Sequence, residues 1–449
     1  MSQKVLVAGT GISGISAAKL LLAQGGEVVL YDGNEKLSEE KLKAKFDEGA
    51  KVTIVLGELK KTDLMGVELC VISPGIPLES PFVAVIDEAK IPIWSEIELA
   101  YHCSKGKLAA ITGTNGKTTT TALTGEIMRK FYKSVFVVGN IGDPYTAHAL
   151  ETTDESVTVA EVSSFQLETI MDFHPNVSAI TNITPDHLDR YDHCMQNYID
   201  AKFRITQNQT TDDAFIFWND DPIIKQELAK HGLKAHLYPF AAVKEDGAIA
   251  YVEDHEVKIT EPIAFNMEQE ELALTGQHNL YNSLAAGISA NLAGITKENI
   301  RKALSDFKGV EHRLEKVARV RGIDFINDSK ATNVNSCWYA LQSMTTKTVL
   351  ILGGKDKGND YTEIEDLVRE KCSALVYLGL HNEKLHDFFD RFGLPVADVQ
   401  TGMKDAVEAA YKLAKKGETV LLSPCCASFD LFKSYEDRGD QFKKYVREL

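Results

Sequence analysis

At 449 residues the chain has room for about three domains, each able to bury a core, and 44% hydrophobic with 25% charged residues is the balance of an ordinary globular protein. A net charge of −16 excludes a general nucleic-acid binder, which needs a basic face, so an anionic ligand must be held by a few local cations. No apolar run approaches the ~18 residues of a membrane span, no secretory pattern precedes the first strand, and the seven cysteines lack metal-ligand spacing, so a cytoplasmic protein with reduced thiols and no membrane insertion is expected.

Residues 1–102 open with a strand, Val5-Leu6-Val7-Ala8, then Gly9-Thr10-Gly11-Ile12-Ser13-Gly14, then an apolar helix through Leu22. A second strand, Val28-Val29-Leu30-Tyr31, ends at Asp32. This is the pattern of a dinucleotide loop, with an acidic residue placed for a ribose hydroxyl. Taken alone it fits NAD(P) or FAD, another nucleotide-like ligand, or glycines that serve helix–strand packing. Leu69-Cys70-Val71-Ile72 then runs into Ser73-Pro74-Gly75, a turn at the strand edge where ligands of open α/β sheets gather.

Residues 103–309 begin with Leu108-Ala109-Ala110-Ile111 and the loop Gly113-Thr114-Asn115-Gly116-Lys117-Thr118-Thr119, followed by a helix over 121–130. A glycine loop between strand and helix aims backbone N–H groups at a phosphate. Lys117 would reach the outer phosphates and Thr118 the accompanying Mg²⁺. The usual first glycine is replaced by Ile111, and Gly113 stands two positions later. Three further strands each end in a polar cluster: Gly139-Asn140, Glu161-Val162-Ser163-Ser164, and Asp186-His187-Leu188-Asp189-Arg190. All should meet beside the phosphate loop. Glu161 and His187 there can ligate Mg²⁺ or position a phosphoryl acceptor, with oxygens dominating the site. Residues 241–274 read as short alternating segments of an antiparallel insertion, and Gly276-Gln277-His278-Asn279-Leu280-Tyr281-Asn282 opens an Ala-rich helix.

Residues 310–449 carry strands near 325–326, 348–352, 374–378 and 419–422 with helices between, again a mostly parallel sheet. Asn327-Asp328-Ser329-Lys330-Ala331-Thr332-Asn333 follows the first of them. Asp328 can take a ribose hydroxyl and Lys330 a phosphate or carboxylate, or the stretch is an Asx-turn capping a helix. Gly353-Gly354-Lys355-Asp356-Lys357-Gly358 is an anion nest or an exposed loop. In Ser423-Pro424-Cys425-Cys426-Ala427-Ser428, Ser428 donates to a carboxylate or caps a helix.

Together, Gly113-Thr114-Asn115-Gly116-Lys117-Thr118-Thr119, Glu161-Val162-Ser163-Ser164-Phe165-Gln166-Leu167, Asp186-His187-Leu188-Asp189-Arg190, His278-Asn279 and His312-Arg313 resemble the ATP-dependent Mur ligases of peptidoglycan synthesis. The stretch from Asn327 to Asn333 with that from Ser423 to Ser428 is similar to the branch that adds D-glutamate. The resemblance runs the length of the chain. It implies an α/β protein of three domains: a Rossmann-like N-terminal domain, a central P-loop ATPase domain with a mostly parallel sheet, and a Rossmann-like C-terminal domain. In this family the first loop cradles the diphosphate of UDP-N-acetylmuramoyl-L-alanine, with Ile12, Ser13, Asp32, Ser73 and Gly75 at the nucleotide. Asn140 and Arg190 would contact the muramoyl-alanine arm. ATP would meet residues 113–119, Asn279, Asn282, Arg313 and Asp328. Two Mg²⁺ ions would be held by Thr118, Glu161, His187 and a carbamylated Lys202, and D-glutamate by Lys330, Thr332, Lys357, Ser428 and Tyr435. A monomer is expected.

Overall fold

Three sheets carry the strand–helix alternation. The computed structural model describes residues 3–356 and 358–449. The first sheet comprises β1 (Lys4–Ala8), β2 (Glu27–Asp32), β3 (Val52–Leu56), β4 (Val67–Ile72) and β5 (Ile93–Ser95), all parallel in the order β3-β2-β1-β4-β5. Its order reverses between β1 and β4, so the loops after those two strands face each other, as expected of a ligand-binding edge. Helix α1 (Ile12–Ala23) packs its small and apolar positions Gly14, Ala17, Ala18 and Leu21 inward. A Cβ on Gly14 would overlap the Gly9 carbonyl, so helix and strand approach this closely only with glycine there.

The second sheet has nine strands in the order β14-β13-β12-β11-β10-β9-β6-β8-β7. They are β6 (Lys107–Thr112), β7 (Val135–Gly139), β8 (Val157–Glu161), β9 (Val177–Ile180), β10 (Ala214–Trp218), β11 (His236–Val243), β12 (Ala250–Glu253), β13 (Glu256–Ile259) and β14 (Phe265–Glu268). The segment over 241–274 is antiparallel between β12, β13 and β14, but β12 pairs with β11 in parallel, so it extends the sheet instead of standing apart. The helices that carry or brace the loops of these two sheets are α2 (Glu96–Cys103), α3 (Lys117–Arg129), α4 (Tyr145–His148), α5 (Met195–Phe203) and α6 (Gln277–Leu292).

One buried cluster runs from Val5 and Leu30 of the first sheet through Ile97, Leu99 and Ala100 of α2 to Phe173, Tyr198 and Phe215 around the second. Burial of that continuous apolar surface holds the two sheets in one compact unit, Met1–Leu272 with Tyr281–Asp306. Polar contacts reinforce it. Glu98 accepts from the Asp172 and Phe173 N–H groups, and Glu96 from the backbone N–H and hydroxyl of Thr146.

The other unit is Ala273–Leu280 with Phe307–Leu449. Its sheet has the order β15-β16-β20-β17-β18-β19, built from β15 (Glu315–Val320), β16 (Ile323–Asn327), β17 (Thr348–Gly353), β18 (Cys372–Leu378), β19 (Val396–Val399) and β20 (Thr419–Cys425). Among the described residues only β15 is antiparallel. Helices α7 (Val334–Gln342) and α8 (Tyr435–Arg447) flank it. Among the described residues no helix is long and apolar enough to cross a membrane.

Candidate functional site

The phosphate loop is the short link between β6 and α3. Gly116 takes a left-handed conformation (φ 83°) and opens α3 at Lys117, four residues earlier than the apolar pattern indicated. Ile111 is a buried strand residue, which is why the glycine moves to 113. Gly113 lies at φ 143° with Thr181 pressed against it, a place where a Cβ would collide. The neighbouring strand end holds the loop: Asn115 N–H donates to Asn182 Oδ1 (3.0 Å), while Thr181 Oγ1 (2.5 Å) and Asn182 Nδ2 (3.0 Å) donate to the Asn115 carbonyl. Asn282 Oδ1, from α6, accepts from Thr120 at 3.1 Å and sits against Gly116.

Two lysines converge on this loop. Lys117 Nζ donates to the Gly113 and Thr114 carbonyls (2.9 and 2.8 Å), and Lys202 Nζ, from α5, donates to the same Gly113 carbonyl at 2.8 Å. Lys202 is fully buried. Burial, and then the nearby charge of Lys117, push its pKa well below the usual lysine range, with Asp186 pulling the other way. Its amine is therefore shifted toward the neutral, nucleophilic form. The Tyr198 ring lies 4.5 Å beneath Lys202 Nζ, and its hydroxyl meets Thr114 Oγ1 at 3.1 Å. Sequence reading passed over Tyr198, although its spacing of four from Lys202 on a helix puts both on one face.

Glu161 closes β8 and is 1% exposed. Asn140 Nδ2 donates to its Oε1 at 2.8 Å, so two of the expected residues are joined directly. Thr118 is buried in the first turn of α3. A buried carboxylate and a hydroxyl beside a phosphate loop suit a hard divalent cation. His187 is half-exposed at φ 54° with its ring edge-on to Phe165. Arg190 lies 4.1 Å from the face of the same Phe165, pairs with Glu168 (3.0 Å), and donates to the carbonyls of Pro74 and Ile76. It thus ties the turn after β4 to the loop after β9.

That turn borders a cavity of about 700 Å³ lined by residues 9–13, Tyr31, Asp32, Gly57, Ser73, Pro74, Gly75 and Phe82. Ile12 is 73% exposed at its mouth, and Ser73 Oγ is buried with no hydrogen-bond partner among the described residues. Asp32 accepts from the Thr10 N–H and hydroxyl (3.2 and 2.6 Å) and from Asn34 N–H, so its carboxylate fixes the glycine loop from below.

The C-terminal unit assembles a second set. Asp328 is fully buried, accepting from Ser423 Oγ (3.0 Å) and Leu314 N–H (3.2 Å). Burial drives its pKa up to about 6 against the pull of Arg313. Arg313 Nε is itself buried without a hydrogen-bond partner among the described residues, and Asn279 donates to the Thr275 carbonyl. Lys330 Nζ lies 5.3 Å from the Tyr435 ring. Ser428 is buried and Thr332 half-buried. Asn333 caps α7 by accepting from Ser336 N–H, so the capping role of this stretch is real. Lys357 lies outside the described residues. Its neighbour Lys355 pairs its backbone with Ala427, joining the loop after β17 to the one before Ser428. Arg438 of α8, absent from the sequence reading, is 1% exposed and donates to Ser329 Oγ, the Ser329 carbonyl and the Cys426 carbonyl, clamping the loops that carry Lys330 and Ser428. An arginine inside an amphipathic helix gives no sequence signal of such a role.

Because the Asp328 carboxyl is easier to protonate folded than unfolded, its contribution to stability is complete below about pH 4 and lost as pH rises through about 6. Asp328→Asn should remove this dependence. Unfolding free energies of wild type and variant, compared from pH 4 to 8, should diverge by up to about 3 kcal/mol in favour of the variant at the alkaline end. Parallel curves would refute the assignment.

Models of three domain families match in order: the Mur ligase MurD-like N-terminal domain over residues 3–95, the Mur ligase middle domain over 111–290, and the Mur ligase glutamate ligase domain over 312–426. The chain is 72% identical over 449 residues, all of both chains, to a protein of Bacteroides thetaiotaomicron named UDP-N-acetylmuramoylalanine–D-glutamate ligase. It is 46% identical to one of the same name from Porphyromonas gingivalis, over 99% of this chain and 98% of that one. Among solved structures, the UDP-N-acetylmuramate-alanine ligase of Thermotoga maritima superposes with a TM-score of 0.63 over 99% of each chain at 18% identity, a likeness of fold alone.

Proposed function

The chain belongs to the Mur ligase family, and from that premise we propose that it joins D-glutamate to UDP-N-acetylmuramoyl-L-alanine at the expense of ATP, in peptidoglycan precursor synthesis. The observation that carries this reading is the 72% identity to a D-glutamate ligase across the full length of both chains. In this reading residues 1–102 take the UDP-substrate, 103–309 take ATP and 310–449 take D-glutamate, and the enzyme works as a cytoplasmic monomer.

A carboxylate is a poor electrophile, so the reaction needs two steps. The alanine carboxylate attacks the γ-phosphoryl group of ATP, giving an acyl phosphate and ADP. The amine of D-glutamate then displaces phosphate through a tetrahedral intermediate and loses a proton as the amide forms. Most of the protein's contribution is positioning and charge neutralisation. Lys117 leaves its loop carbonyls for the phosphates, and Asn282 with Asn279 faces the adenine. Arg313 and Asp328, of the C-terminal unit, are nucleotide contacts in the same reading. Thr118, Glu161, His187 and a carbamylated Lys202 would hold two Mg²⁺ ions, whose charge would offset that of the transferred phosphoryl group. Asn140, already bonded to Glu161, and Arg190 orient the muramoyl-alanine arm. Lys330, Thr332, Lys357, Ser428 and Tyr435 surround D-glutamate, and Ile12, Ser13, Asp32, Ser73 and Gly75 the uridine diphosphate.

Phosphate release with UDP-N-acetylmuramoyl-L-alanine, assayed against a panel of amino acids, tests the assignment. D-Glutamate should be used, with L-glutamate and L-lysine rejected by about a hundredfold or more, since a lysine side chain meets like charge at Lys330. Efficient use of L-lysine would sink it.

A further inference from the structure

Helix α1 also borders a second cavity. About 760 Å³ in volume, it runs between α1 and residues 142–150, with Lys45 also lining it. That is the size of a small-molecule site. Its walls are mostly apolar: Ile12, Ile15, Leu20, Ala23, Pro144 and Leu150. Ile12 and Leu150 are 73% and 52% exposed, so sizeable hydrocarbon faces water in one concave place.

The polar groups around it are unevenly committed. The Thr146 hydroxyl donates to the buried Glu96 and lies 2.8 Å from the Ser16 hydroxyl, so the floor is satisfied internally. Asp143 is taken by His148 Nε2 at 2.9 Å. Lys19 and Lys45 are different. Both are exposed, and among the described residues neither is in an ion pair. A sugar or a base would find few free partners here, whereas an apolar body with one negative end would find both hydrocarbon and cations.

We infer that this cavity binds a small soluble amphipathic anion, an alkyl or aryl body bearing a single phosphate or carboxylate. A free molecule fits better than a lipid held in a bilayer, because a chain of net charge −16 is repelled by an anionic membrane surface. Thr10, Gly11 and Ile12 line both cavities, so the occupant touches the same glycine loop as the ligand of the first.

Calorimetric titration of the full chain with decyl phosphate, below its micelle concentration, tests this. One saturable site is expected, changed by no more than about twofold when UDP is saturating and weakened by about tenfold or more in Lys19→Glu/Lys45→Glu. Ala147→Trp, at an exposed lining position, should abolish binding without disturbing the core. Decyltrimethylammonium should not bind. Absence of saturable binding, equal binding of the cationic amphiphile, or unchanged affinity in the variants would overturn the inference. So would loss of binding with UDP, which would make the cavity an arm of the first.

Discussion

Lys202→Ala should lower ligation by about a thousandfold, the scale of losing a preorganised charge at a phosphoryl-transfer site, while nucleotide binding survives. The lysine is buried, bonded to the Gly113 carbonyl, and has its pKa depressed by burial and by Lys117. An ammonium there would repel divalent cations, and at ~4 Å like charges cost several kcal/mol at an intermediate dielectric. The neutral amine instead can add to CO₂, forming a carbamate and releasing a proton. The position then presents two carboxylate-like oxygens, which Mg²⁺ prefers. Small carboxylates added to Lys202→Ala should therefore recover part of the turnover by occupying the vacated space. Wild-type activity in the variant would rule out the role, and a loss that acetate or formate never relieves would count against carbamylation.

Glu161→Gln should cost about a hundredfold to a thousandfold in kcat with no change in melting temperature. The substitution keeps the shape and keeps an oxygen to accept from Asn140 at 2.8 Å, so the fold around β8 has no reason to shift. What disappears is one negative charge in a site that is 1% exposed, where it is poorly screened and acts strongly on a bound cation. Full activity in Glu161→Gln would place the cation elsewhere. A lowered melting temperature would assign Glu161 a structural role.

The sites legible in the sequence were those marked by local chemistry. Gly113 to Thr119 stood out because a strand, a glycine loop and a helix come within about 20 residues, and the structure has them in that order. Among the strands that escaped notice, three are edges: β3 is only partly buried, β5 is three residues long, and β19 carries Asp398 in four residues, so each lacks a long apolar run, whereas β10, interior and apolar, was passed over despite its pattern. The support for the loops was hidden for a different reason. Tyr198 under Lys202, Asn182 behind Asn115, and Arg438 between the loops of Ser329 and Cys426 act through contacts 67 to 109 residues apart in two of these cases, and spacing along a chain carries no trace of them.

Ala273–Leu280 belongs with the C-terminal unit although the chain returns to the first unit for Tyr281–Asp306 before continuing at Phe307. Leu274 packs near Gly309 and the His278 ring lies 5.4 Å from Tyr339, so the eight-residue excursion is part of that unit's own body. The C-terminal third is consequently not a detachable cassette. A gene fragment starting at Phe307 omits a piece of its own architecture, and exchange of acceptor modules between relatives has to carry residues 273–280 along with everything after Asp306, so a single splice after Leu272 takes Tyr281–Asp306 of the other unit with it.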